Sequence, residues 1–158
     1  MGKVEVPSLP DPERQRLCCG MFVGERYFVA EYIMQKLGVA GLQEFNDLAA
    51  RVAAEGMRAR GIGDALGFAL DHATLCGNLW GSRVEVEGDS ERAILRIEKC
   101  MNLEVALELA KKGLQTNREM HCNNCINGYF KKVAKNLGLR VEATLTAGGC
   151  EMEITGGD

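Results

Sequence analysis

The sequence predicts an α+β domain with an antiparallel sheet packed against helices, in the order ααα–ββ–αα–ββ. Three observations predict it. Apolar residues recur at helical spacing through the first half of the chain and again between two later stretches. In those two stretches, 83–99 and 139–154, the period drops to two residues. Glycine or turn chemistry brackets each segment, so strands come grouped in hairpins and segregated from helices.

Residues 1–12 hold all three prolines, Pro7, Pro10 and Pro12, and read as an extended lead-in to a single domain over 13–158. A helix is expected over 13–37, where Leu17, Met21, Phe28, Tyr32 and Leu37 recur near helical spacing and Gly38 offers a stop. A second spans 42–60 with Phe45, Leu48, Ala49, Val52 and Ala53 as its apolar face, and Gly61 follows. A third begins at Asp64, whose charge suits a helix N-terminus. Val84 and Val86 then alternate with Arg83, Glu85 and Glu87. Gly88-Asp89-Ser90 turns the chain, and Ala93, Leu95 and Ile97 alternate across 92–99. After this hairpin a helix is expected over 103–112. Thr116-Asn117-Arg118-Glu119 fits a capping box opening another that reaches Leu137, with Gly138 as its stop. Leu139, Val141, Ala143 and Leu145 alternate next, and Gly148-Gly149 leads into Cys150–Ile154 as a second hairpin. One sheet face should meet the helices, and the other, rich in Glu and Thr, should meet water or a partner.

The chain has 158 residues, enough for one domain that buries roughly 68–70% of its unfolded surface without disulfide staples. Its net charge of −3 argues against a non-specific nucleic-acid binder, which needs a basic field. No apolar run is long enough to span a membrane. The N-terminus lacks a long apolar core and carries Glu5 and Asp11, so no secretory signal is expected. The expected compartment is cytoplasmic and reducing, where thiols stay free.

Seven cysteines is an odd number and cannot pair fully within the chain. The readings left open are metal ligands, redox thiols, a nucleophile, or small buried hydrophobes. His121-Cys122-Asn123-Asn124-Cys125 is the sharpest local signal. Three residues apart on a helix, Cys122 and Cys125 share a face and their sulfurs can converge. A helix starting near Thr116 would also favour the thiolate at both. Cys100 falls at the exit of one strand and Cys150 at the entry of another, so four thiolates would suffice for tetrahedral zinc or an iron–sulfur cluster. His121 is a ligand in reserve, since it projects about 100° around the helix from Cys122. Cys18, Cys19 and Cys76 lie in apolar helical stretches and read as core. Asp71 and His72 are candidates for proton transfer, but adjacent helical residues face different ways and a solvated pair is the plainer reading. Trp80, between Gly77 and Gly81, reads as a pocket wall or a packing anchor, and Asn123 as a group that orients a ligand or faces water.

From Cys100 to Ile154 the pattern resembles the small-molecule-binding superfamily that includes the 4-vinyl reductase domain and the L-2-amino-thiazoline-4-carboxylic acid hydrolase-like proteins. The frame is a strand ending in Cys100, an amphipathic helix, Cys122 or Cys125 in the next helix, and a strand pair closing on Gly148-Gly149-Cys150-Glu151-Met152-Glu153-Ile154. Leu37-Gly38, the stretch from Gly63 to Asp71 and the Val84–Val86 strand extend the likeness toward the N-terminus. The resemblance implies a ligand pocket between helices and sheet with cysteines beside it. The chain departs from the pattern in carrying two cysteines, Cys122 and Cys125, where one is expected.

Three functions are therefore expected in competition. The first is a zinc- or iron–sulfur-binding small-molecule module, of which a sensor acting through a partner is one form, with Cys100, Cys122, Cys125 and Cys150 as ligands. The second, implied by the resemblance, is a hydrolase of a cyclic amidine or thiazoline, with Cys122 or Cys125 or a metal-bound water attacking and Asp71 or His72 moving protons. The third is a thiol–disulfide redox sensor built on Cys122 and Cys125. A homodimer is compatible with any apolar helix or sheet edge left uncovered.

Overall fold

The two hairpins join into one sheet. In the computed structural model, which describes residues 8–157, β1 (Arg83–Gly88), β2 (Arg92–Lys99), β3 (Leu139–Leu145) and β4 (Cys150–Gly156) lie in the order β1-β2-β4-β3. Every neighbouring pair is antiparallel. The second strand of each hairpin is thus central, with Ala93 opposite Ile154, Leu95 opposite Met152 and Ile97 opposite Cys150. The chain is an α+β domain with an antiparallel sheet, and the part of the expected lead-in over residues 1–7 lies outside the described residues.

Alternation decides which sheet face is dry. Ala93, Leu95, Ile97, Leu139, Val141, Met152 and Ile154 are buried together against helices. The helical side comes from α2 (Ala65–Thr74), the C-terminal half of α1 (Asp11–Ala59) and α5 (Lys131–Asn136), through Phe68, Ala69, Ala50, Ala54, Met57, Val133 and Ala134. Full burial of Leu95 or Ile154 contributes about 1.5–3 kcal/mol each. The opposite face carries ion pairs instead. Arg96 reaches Glu87 at 2.6 Å and Glu151 at 2.7 Å, and Arg92 reaches Glu153 at 2.6 Å.

The helix break expected at Gly38 is present as a single non-helical residue (φ 66°, ψ −164°) inside α1. The side chains chosen from periodicity are a different matter. α1 buries Cys19 and Val23 against Val105 and Ala106 of α3 (Met101–Lys111). Leu17, Met21, Phe28, Tyr32 and Leu37 are exposed. Farther along, Ala50, Ala54 and Met57 are buried while Leu48 and Val52 are not. Both halves of α1 carry apolar residues on two sides, and close packing against α3 and α5 selects the side with the smaller ones.

The helix expected over 116–137 is α4 (Arg118–Cys125), a π-helical turn (Ile126–Phe130) and α5. Its cap is Asn117, whose side chain accepts the Met120 N–H at 2.9 Å. Thr116, placed as the cap by the box pattern, instead shares a 2.7 Å hydrogen bond with the Tyr27 hydroxyl. Asp64 caps α2 as its position suggests, accepting the Gly67 N–H at 2.7 Å. Another π-helical turn, Leu75–Leu79, continues α2. Such turns are rare and concentrate at functional sites. One contains Cys76 and the other starts directly after Cys125.

Candidate functional site

Cys100 leaves β2 and is the N-cap residue of α3, with extended backbone. Its N–H donates to the Gly148 carbonyl at 2.9 Å, which holds the end of β2 against the turn before β4. That turn is pressed onto β2. A Cβ on Gly148 would stand 2.2 Å from the Glu98 carbonyl oxygen, and one on Gly149 would stand 2.0 Å from that of Ile97. Only glycine fits such an approach, and the approach brings Cys150 to the same end of the sheet as Cys100. Ser82 fastens a third segment there. Its N–H donates to the Cys76 carbonyl at 2.9 Å, and its buried hydroxyl accepts the Met101 N–H at 3.0 Å.

Cys76, Cys100, Cys125 and Cys150 all pack on the main apolar core, and Cys122 is buried one turn before Cys125. A charge on Cys125 would feel Cys100, Cys150, Cys76 and Cys122. The four cysteines singled out from sequence thus lie within electrostatic reach of one another at one end of the sheet, and Cys76 is in reach of them as well. Cys76 is core, as its apolar helical stretch implies, at 5% exposed. The signal that could have found it is its position just before the glycine-bracketed exit Gly77–Gly81, next to the strand that leads to Cys100.

The protonation states differ from those a helix start would give. Cys122 is at the fifth position of α4 and Cys125 at its last, beyond the first turn where free N–H groups favour an anion. Burial pushes the Cys122 thiol up, partly offset by Arg118. Burial, then the neighbouring cysteines, pushes Cys125 well up. Burial carries Cys76 and Cys150 up to about 12, with Cys100 adding to both. Cys100 itself is raised by burial, against the pull of the Leu103 and Asn102 N–H groups. Five neutral thiols thus line one buried region. Among the described residues, no three His, Cys, Asp or Glu side chains stand close enough as they are to hold a metal ion.

The other candidates fall around this region. His121 Nδ1 and the Tyr27 hydroxyl are 3.0 Å apart, and burial lowers the imidazole pKa. Burial raises the Tyr27 phenol, and Cys122 and Cys125 raise it further while Thr116 pulls it down. His121 thus lies in a Thr116–Tyr27–His121 chain of hydrogen bonds on the flank of the cysteine pair. Asp71 pairs with Arg60 at 2.7 Å. His72 is buried, with Nδ1 3.0 Å from the Phe68 carbonyl, which makes Nδ1 the donor. Its ring packs on Phe68 and Phe130, and burial lowers its pKa. Trp80 stacks on Phe22 of α1 with centroids 4.8 Å apart. Asn123 is exposed and bonded to Asn127. Cys18 is exposed, whereas Cys19 is buried and its thiol donates to Asn102 Oδ1 at 2.8 Å. The space between helices and sheet is filled by Phe68, Leu95, Val133, Met152 and Ile154. A groove of about 320 Å³ opens beside the cluster, lined by Arg96, Ile97, Glu98, Thr146 and Cys150 among others.

No family model, curated protein or solved structure matches the chain. Among the described residues, no helix is long and apolar enough to cross a membrane.

Proposed function

We propose that the thiol cluster is a soft-metal centre, a zinc ion or an iron–sulfur cluster, within a domain that takes a small molecule beside it. The observation that carries this reading is the placing of Cys125 within electrostatic reach of four other cysteines contributed by α2's π-helical turn, the β2–α3 junction, α4 and β4. The donor set is all sulfur, which selects zinc or iron–sulfur over hard cations. Cys76, Cys100, Cys122, Cys125 and Cys150 supply the donors, one more than a tetrahedral site needs. Occupation requires the thiols to close in and release their protons, so uptake depends steeply on pH. The metal would supply charge to hold buried thiolates that the fold alone does not favour. The apolar core behind them excludes water, and the Tyr27–His121 pair holds a proton at the rim.

The competing readings need an accessible thiolate at Cys122 or Cys125, as nucleophile or as redox partner. Burial works against both, because it keeps these thiols protonated at neutral pH. Metal analysis of protein purified without air tests the proposal. About one equivalent of zinc, or iron with broad visible absorption, is expected. Cys100→Ser combined with Cys125→Ser leaves three of the five donors and should lose the metal, and Cys18→Ser, at an exposed position, should keep it. Less than about a tenth of an equivalent in the unaltered protein would reject the reading.

A further inference from the structure

The N-terminal half of α1 is apolar on the side that faces away from its own domain. Leu17 is 54% exposed, Met21 69%, Phe28 71% and Tyr32 57%. They lie about half a turn around the helix from the buried Cys19 and Val23. The pair Leu17/Met21 repeats as Phe28/Tyr32 eleven residues later, which is close to a whole number of turns, so the two pairs lie in line. Between and beside them run Gly20 and Gly24, where an added Cβ would meet nothing within 4 Å. The surface is thus two ridges of large side chains around a saddle of bare backbone.

We propose that this stripe is the contact between two copies of the chain. Side chains of this size offer about 200 Å² each, so the four expose roughly 500 Å², at the upper end for the largest apolar patch on a monomer. Two copies cover about 1,000 Å² through these residues alone, which meets the lower bound for a specific interface. The saddle also makes the surface self-complementary: about a two-fold axis near Gly24, Leu17 and Met21 of one copy meet Tyr32 and Phe28 of the other, with room for the backbones to approach. A membrane surface fits less well. The charges bordering the stripe are mixed, Glu13, Glu25 and Glu31 against Arg14 and Lys36, rather than the Lys/Arg-rich border that lipid headgroups select.

Sedimentation equilibrium of the full chain in reductant tests this. Twice the monomer mass of 17.2 kDa is expected above roughly 10 µM. Met21→Glu combined with Phe28→Glu should return the monomer mass with an unchanged circular dichroism spectrum, and Leu70→Glu, on exposed surface outside the stripe, should remain dimeric. If the double variant fails to fold, Leu17→Gln alone should weaken association at least about fivefold. A wild-type monomer up to about 100 µM overturns the proposal, as does a dimer that survives the stripe substitutions. A monomer that floats with neutral and anionic phospholipid vesicles assigns the stripe to lipid and likewise overturns it.

Discussion

Raising the pH should unfold the metal-free protein through its thiols, far more steeply than ordinary surface chemistry would. The folded chain holds Cys19, Cys76 and Cys150 up at about 12, against an ordinary value of 9.0, and burial is the leading cause in each. An acid raised by folding keeps its proton after the unfolded chain has lost it. Between pH 9 and 12 the native state therefore binds more protons, and stability falls as pH rises. Below pH 9 both states are protonated and these groups contribute no slope. Each thiol costs about 1.4 kcal/mol per pH unit within the window, and three together about 4 kcal/mol per unit. A domain with about 5 kcal/mol of stability would then unfold near pH 10, and one with about 10 kcal/mol near pH 11.5. Urea melts of metal-free, reduced protein from pH 7.5 to 10.5, read by circular dichroism, measure this, with thiolate absorbance near 240 nm as the independent count. A midpoint unchanged from about pH 8.5 to 10.5, or ordinary titration of all seven thiols in the folded chain, would refute the argument that these sulfurs are buried and uncharged.

Two further outcomes follow from the backbone that frames the cluster. Gly149→Ala places a methyl against the Ile97 carbonyl, and the strands must part. Stability should fall by about 1–3 kcal/mol in denaturant melts with an unchanged slope, and bound metal should fall with it, while Gly63→Ala, with open space around its Cβ and no left-handed backbone, should leave the metal in place. Asn117→Ala removes the side-chain acceptor for the Met120 N–H at the start of α4 and should cost about 1 kcal/mol, with Asn117→Asp restoring most of it.

The strands were legible because a half-buried strand writes its two faces in alternate residues, and nothing about Ala93, Leu95 and Ile97 or Leu139 and Val141 obscures that. The grouping of the cysteines was legible in part. Cys122 and Cys125 announce themselves by spacing, and Cys100 and Cys150 by their place at strand ends. Cys76 was not readable as a member, because its helical stretch looks like any other core segment and its π-helical turn leaves no periodic trace. The protonation of the pair was misjudged for a related reason. A helix N-terminus is a local feature, whereas the burial that raises Cys122 and Cys125 comes from segments elsewhere in the chain.

The amino-acid order by itself determined the sequence of helices and strands, the break at Gly38 and the turns at Gly88 and Gly148-Gly149, since propensity, period and glycine's backbone freedom act over a few residues. Only the tertiary structure decided that β2 and β4 become central partners, which apolar side of α1 is buried and which is left bare, and that Cys76 joins the other four sulfurs. Those outcomes depend on how separate surfaces compete for the same contact, and close packing resolves that competition only when the whole chain is assembled.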